Sequence, residues 1–211
     1  TPRRAFDTVY HPSIVQPTLL YWQRTADPQL SALFGEWLKV WIDATARAEN
    51  GKPAGVLPSA LAWPDGTVAA PSAPWWEPFP LNHNDALYNW PGATRLMTST
   101  LLLAWHMTRD ESYLAPIHSM AALVLQHRGA RTNAEPGTAA WAARQMDGFL
   151  TDTLAKYRLL SGDKRYDDMA HEFTKLIALA FTITAILGTV TLLALILLYP
   201  KFLAALTAVF Q

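Results

Sequence analysis

Apolar side chains recur at helical spacing in two long stretches of the chain. Intervals of three and four residues place side chains on one face of an α-helix. The two stretches predict amphipathic helices, each with one buried face. Their apolar positions are Leu30, Leu33, Phe34, Trp37, Leu38 and Trp41 in the first stripe, and Ile117, Met120, Ala121, Val124 and Leu125 in the second.

Three short stretches with a common pattern follow apolar helical runs, and they begin at Thr25, Thr108 and Ser161. Each has a hydroxyl residue, a spacer, an aspartate and, three residues later, a leucine or tyrosine. An aspartate in this position caps the next helix by accepting hydrogen bonds from its first amides. The large side chain then packs back on the preceding helix. The pattern therefore predicts three antiparallel helical hairpins, namely 13–24 with 28–47, 93–107 with 111–127, and 138–160 with 164 onward.

Residues 48–92 show no periodicity and are punctuated by proline and glycine, so they cannot form one helix. Their many tryptophans differ from the composition of disordered segments. We predict an ordered, irregular loop that packs across one end of the hairpins.

Residues 176–199 contain no charged side chain. A helix of this length would measure about 36 Å, enough to cross a hydrocarbon core of about 30 Å. Lys175 and Lys201 flank the run, and Tyr199 is a candidate aromatic anchor. The predicted fold is therefore all-α, with a soluble hairpin domain over 1–170. A single transmembrane helix with a short apolar tail then occupies 171–211.

Small residues recur on one face of that predicted span, at Ala180, Thr184, Gly188 and Thr191. Such a stripe allows two helix backbones to approach closely in a membrane, although glycine and threonine are also common in membrane helices. The span has no His, Asp, Glu, Lys or Arg, which argues against an ion path or a pigment ligand there. We expect this helix to dock on other transmembrane subunits.

The overall composition excludes several kinds of chemistry. The 17 basic and 17 acidic residues cancel, so no general attraction to nucleic-acid phosphates is expected. The chain has no cysteine, which excludes disulfides, thiolate nucleophiles, zinc–thiolate sites and iron–sulfur clusters within it. The spacing of His106, His118 and His127 does not match a metal site. No metal and no cofactor is predicted.

The hairpin turns and the tryptophan-, proline- and glycine-rich loop resemble parts of the (α/α)-toroid proteins, the six-hairpin glycosidases and related polysaccharide lyases. The stretch 44–53 and the following Trp63-Pro64-Asp65-Gly66 are similar in style to the loops of that family. A closed toroid needs about five to seven hairpins, whereas three are predicted here. The resemblance implies a glycan ligand and an exported, periplasmic domain. The lysines that precede the apolar span favour the cytoplasmic side instead.

Glycan cleavage would require a pair of carboxylates or a base with a charge-neutralising partner. Glu49, Asp65 and Asp85 are the catalytic candidates, with Glu77 and His83 nearby. Glu49 and Asp65 are equally suited to turns, because Glu-Asn-Gly and Pro-Asp-Gly are turn-forming sequences. The sequence therefore favours a role other than catalysis.

The tryptophans of the loop allow two interpretations. They are either the local core of an irregular segment or platforms on which sugar rings stack, and the candidates for stacking are Trp63, Trp75, Trp76 and Trp90. Together, these features favour a membrane-anchored accessory subunit that docks in a larger membrane complex. The alternative is a membrane-anchored, glycan-binding or glycan-cleaving protein of toroid type.

Overall fold

The structure is a computed structural model that describes residues 5–68, 74–77, 90–129, 133–169 and 182–191. The chain divides into two compact units, Thr1–Tyr166 and Asp167–Gln211. The predicted boundary after residue 170 lies next to residues outside the described ranges.

Helices dominate the first unit, as the hydrophobic pattern predicts. Its described residues form five α-helices, which are α1 Gln16–Thr25, α2 Pro28–Ala46, α3 Thr94–Thr108, α4 Ala115–His127 and α5 Ala139–Ser161. Short 3-10 turns at His11–Ser13 and Glu111–Leu114 precede α1 and α4. The core lies between the helices and is built from Leu38, Trp41, Met97, Leu101, Ile117 and Met120, among others.

The first predicted turn is held by a closed set of local hydrogen bonds. The hydroxyl group of Thr25 donates to the Tyr21 carbonyl, and its oxygen accepts from the Asp27 amide. Ala26 has a φ of 50°, which places it in the left-handed region. The carboxylate of Asp27 accepts from the next two free amides of α2, which is the expected N-cap geometry.

The other two turns repeat this arrangement. In the stretches 108–110 and 161–163 the hydroxyl group again donates to a carbonyl four residues earlier. The aspartate amide donates to that hydroxyl oxygen, and the aspartate accepts from the amide two residues later. The spacers Arg109 and Gly162 are also left-handed. The prediction that aspartates cap these turns is confirmed.

We call α1–α2 hairpin 1 and α3–α4 hairpin 2. After the third turn, 167–169 are helical and 170–181 lie outside the described residues.

The all-α prediction is wrong, because the first unit contains a three-stranded antiparallel sheet. Its strands are β1 Ala5–Thr8, β2 Ala60–Trp63 and β3 Thr67–Val68, in that order across the sheet. Ala5 pairs with Trp63, and Thr8 pairs with Ala60. Such short strands show too few alternations for a period-two pattern, and the partner of β2 lies far away in the sequence. The segment 48–92 therefore supplies a β-hairpin within what was expected to be loop.

Gly66 fixes the position of this β-hairpin. Its φ is +65°, and a Cβ built on it would lie 2.7 Å from Cγ1 of Val40 on α2. Both the backbone conformation and the close approach require glycine. The β2–β3 turn is thus seated directly on α2.

The predicted transmembrane helix is also wrong: no helix among the described residues is both long enough and apolar enough to cross a membrane. Within the predicted span, 182–191 are helical, while 176–181 and 192–199 lie outside the described residues. The ten helical residues cover about 15 Å, roughly half of a hydrocarbon core. The longest helix in the described part of the chain, α5, has 23 residues, but Asp147, Asp152 and Lys156 lie along it. The predicted single-pass membrane location is therefore wrong as well, and with it the slight preference for a periplasmic side.

Candidate functional site

A cavity of about 730 Å³ lies between β2, the β2–β3 turn, α2 and the segment before α1. We call it the apolar groove, because most of its lining is aliphatic or aromatic. Asp7, His11 and Glu36 are the titratable residues among the lining residues that the structure describes. The remaining lining consists of Ile14, Val15, Leu33, Phe34, Trp37, Val40, Leu61, Ala62, Trp63, Pro64 and Gly66.

Asp7 forms the polar floor of the groove. Its Oδ2 accepts hydrogen bonds from the indole nitrogens of Trp37 and Trp41, at 2.5 and 2.7 Å. Trp37 and Trp41 are four residues apart on α2, so their indoles reach the same acceptor from one helix face. These bonds tie β1 to α2. A carboxylate that accepts charge-assisted bonds from two indoles is firmly positioned.

The other oxygen of Asp7 contacts His11, whose Nδ1 lies 2.6 Å from Oδ1. Two lone pairs cannot meet at that distance, so a proton lies between these two atoms. Nδ1 of His11 also lies 3.2 Å from the backbone nitrogen of Thr8. The Asp7 side chain therefore takes part in three hydrogen bonds within the protein, and a carboxylate has about four acceptor positions. It has little capacity left for a ligand.

Glu36 differs from Asp7 because its side chain is exposed on α2 and has no hydrogen-bond partner within the described part of the chain. It is thus the one carboxylate of the described lining that remains open. A single open carboxylate does not form the acid–base pair that glycan hydrolysis requires.

The catalytic candidates from the sequence lie elsewhere. Glu49 accepts from the Arg47 guanidinium and from the Val68 amide, so it holds the loop after α2 against β3. Asp65 is exposed in the β2–β3 turn, next to the groove, and is absent from the described lining. Asp85 and His83 lie outside the described residues, and Glu77 is exposed.

The stacking candidates divide into two groups. Trp75 is 2% exposed and Trp90 is also buried. Their indole nitrogens donate to backbone carbonyls at Gly137 and Leu57. The ring centroids of Trp90 and Trp141 are 5.3 Å apart, and those of Trp76 and Trp141 are 4.9 Å apart. We call Trp75, Trp76, Trp90 and Trp141 the tryptophan cluster, which joins segment 48–92 to α5.

Trp63 is the exception among the four candidates. It is 61% exposed and lies at the rim of the groove. The residues that sequence reasoning missed are Asp7, His11, Glu36 and Trp37. One signal was present: Trp37 and Trp41 are four residues apart in a predicted helix, a spacing that places both indoles on one face, where they can share a partner.

The predicted docking stripe is described in part. Thr184, Gly188 and Thr191 are exposed on the helix 182–191, and Ala180 lies outside the described residues. A Cβ at Gly188 would meet no atom within 4 Å. Nothing tests helix docking there, so it stays a prediction. Within the described ranges, no group of three or more His, Asp or Glu side chains could hold a metal ion.

Lys52 is a second unusual charged residue of the first unit. It is 2% exposed, and its Nζ donates to the carbonyls of Thr45 and Pro53, at 3.1 and 2.8 Å. Burial, reinforced by the charge of Arg47, lowers the pKa of Lys52 from 10.5 to about 8, and Glu49 opposes that shift. Because Thr45 lies in the last turn of α2 and Pro53 lies in the loop that follows, this ammonium group ties the loop to the end of α2.

Comparisons with models of protein families, with curated proteins and with solved structures give no match to this chain.

Proposed function

We propose that the first unit is a non-catalytic interaction module of a larger assembly, and that it docks a partner protein through the apolar groove. The supporting observation is the exposure of large apolar side chains at the groove. Ile14, Leu33 and Trp63 are 64%, 59% and 61% exposed. Contiguous apolar surface of this kind marks interaction sites in folded proteins.

The chemistry of the groove also favours binding. Asp7 is occupied by Trp37, Trp41 and His11, which leaves Glu36 without a second open carboxylate among the described lining residues. The groove also lacks a described lysine or arginine. A partner with an apolar ridge and a polar margin would fit this lining, as is usual for protein interfaces.

Glycan binding is the second candidate, and the exposure of Trp63 is the observation that favours it. An indole face suits the apolar face of a pyranose ring, and Glu36 and His11 lie in the same groove to accept or donate hydrogen bonds. Trp75 and Trp90 do not contribute to this candidate, because burial leaves them no free face.

One pair of variants tests the docking proposal. Leu33→Glu places a charge on the groove, whereas Leu159→Glu places the same charge on α5 at a side chain that is 84% exposed. We expect a partner that co-purifies with the tagged chain to be retained by Leu159→Glu and lost by Leu33→Glu. Retention by both variants would count against docking at the groove.

The glycan candidate is tested with neutral oligosaccharides and intrinsic tryptophan fluorescence. Saturable binding by the parent chain that disappears in Trp63→Ala, and persists in Leu159→Glu, would replace protein docking with sugar binding as the role of the groove. Unchanged fluorescence across the oligosaccharide series would remove the glycan candidate.

A further inference from the structure

The hairpins of the first unit contact one another through equivalent positions. The hydroxyl group of Tyr113, three residues after Asp110, lies 3.4 Å from where a Cβ would stand on Gly35. The hydroxyl group of Tyr166, three residues after Asp163, lies 2.8 Å from Nδ1 of His118.

Gly35 and His118 occupy the same place in their hairpins, eight residues after Asp27 and Asp110. The third residue after Asp110 and after Asp163 therefore meets the eighth residue after the aspartate of the preceding hairpin. This spacing of three and eight residues is the same in both contacts, although a 3-10 turn precedes α4 in hairpin 2 and no such turn precedes α2 in hairpin 1. This is the nearest-neighbour packing of a repeat array.

In hairpin 1, the positions equivalent to those of hairpin 2 around Tyr113 have no preceding hairpin to pack on among the described residues. Leu30, the equivalent of Tyr113, is half-exposed, whereas Tyr113 is buried. Leu33 is exposed, whereas its equivalent, Pro116, is buried.

Tyr21 on α1 repeats the contrast, because it is 56% exposed while its equivalent on α3, Ala104, is fully buried. The outer face of hairpin 1 thus has apolar residues at positions that are covered in hairpin 2.

We propose that the partner is a helical hairpin of a separate protein, which packs on the face of hairpin 1 that carries Tyr21 and Leu30 and reaches the groove at Leu33, so that it extends the array beyond hairpin 1. Its second helix would lie against Leu30 and Leu33, as α2 lies against Tyr113. This rests on the proposed docking function and names the kind of partner. The interface between hairpins 1 and 2 is heterologous, because the third position after one aspartate meets the eighth position after the other. Two copies of hairpin 1 placed face to face cannot reproduce it.

The packing also defines the partner's chemistry. Opposite Leu30 the partner needs a small or apolar residue at its eighth position, because Leu30 has no hydroxyl group to satisfy a buried polar group. Gly35 in hairpin 1 is such a residue, and α1–α2 is therefore a suitable mimic of the partner hairpin.

The test uses the full chain and a fluorescent synthetic peptide of residues 13–47 as the probe. A matched peptide carries Gly35→Glu, which favours helix formation over glycine, so weaker binding could not be ascribed to a less helical peptide. We expect saturable binding of the first peptide and at least about tenfold weaker binding of the second. The full-length Leu33→Glu variant should lose the first peptide to a similar degree, and Leu159→Glu should bind it normally.

Other outcomes would overturn the proposal. Binding that survives Leu33→Glu would mean that the peptide replaces hairpin 1 against Tyr113 and does not add outside it. A concentration-dependent dimer of the full chain that requires Leu33 would identify a second copy as the occupant. If the peptide fails to bind while a co-purifying partner still depends on Leu33, the docking function stands and the hairpin partner does not.

Discussion

The tryptophan cluster and the apolar groove contain the same kinds of side chain, but they differ in what covers them. Trp75 and Trp90 are enclosed by segment 48–92 and α5, and their indole nitrogens donate to backbone carbonyls. Trp63 lies at the groove rim with most of its surface exposed. Composition cannot separate the two regions, because exposure depends on which elements pack nearby. We infer that the cluster maintains the fold and that the groove is free for recognition.

The largest expected effect is the removal of an indole from the cluster. Trp75→Ala should lower the free energy of unfolding by about 3–5 kcal/mol, because it leaves a cavity where a large buried ring stood. Urea denaturation followed by circular dichroism would measure the loss. A loss of less than about 1 kcal/mol would show that the cluster is no more structural than a surface site.

Gly137 tests the packing of the cluster from the backbone side. Its φ is +86°, and a Cβ there would overlap the ring of Trp76. Gly137→Ala should therefore cost about 2–4 kcal/mol, from the left-handed backbone and from the clash. Gly129→Ala is a matched control, since Gly129 also has a positive φ but a Cβ there meets no atom within 4 Å. Equal losses in the two variants would remove the clash as a cause.

The floor of the groove should behave differently from its rim. Asp7→Asn would replace the carboxylate by an amide, so that only one oxygen is left to accept the hydrogen bonds that Asp7 now makes with Trp37, Trp41 and His11. We expect a loss of about 1.5–3 kcal/mol in the free energy of unfolding, the range for hydrogen bonds to charged groups. Thermal unfolding would show it. Unaltered stability would mean that Trp37 and Trp41 do not depend on Asp7.

Lys52 is a buried charged residue whose contribution to the free energy of unfolding depends on pH. Because its pKa falls from 10.5 to about 8 on folding, the unfolded chain holds the proton more tightly between these values. Raising the pH through this window therefore increases the contribution of this group to stability, by on the order of 3 kcal/mol. Denaturation at a series of pH values should show this rise in the parent chain and not in Lys52→Met. Parallel pH profiles would contradict it.

The smallest effect is expected at the rim. Trp63→Ala should change the free energy of unfolding by less than about 0.5 kcal/mol, because an exposed side chain leaves no cavity. The same urea experiment as for Trp75→Ala measures it. A loss comparable with that of Trp75→Ala would remove the distinction between cluster and groove.

Local chemistry made the hairpin turns predictable. Thr25 and Asp27, like Asp110 and Asp163, act through hydrogen bonds to amides and carbonyls within a few residues. Such bonds form whatever surrounds them, so the sequence pattern sufficed to locate the turns. The membrane helix failed as a prediction because an apolar composition over 176–199 is compatible with more than one structure. The described helix covers only 182–191 of that run.

The sequence by itself determined the helical character of the first unit, its three aspartate-capped turns and the absence of cysteine chemistry. Tertiary structure decided the pairing of β1 with β2, the sharing of Asp7 by two indoles, and the division of the tryptophans into buried and exposed groups. The physical reason is the distance along the chain. Caps and turns depend on adjacent backbone groups, whereas strand pairing and burial depend on segments that only the folded chain brings together.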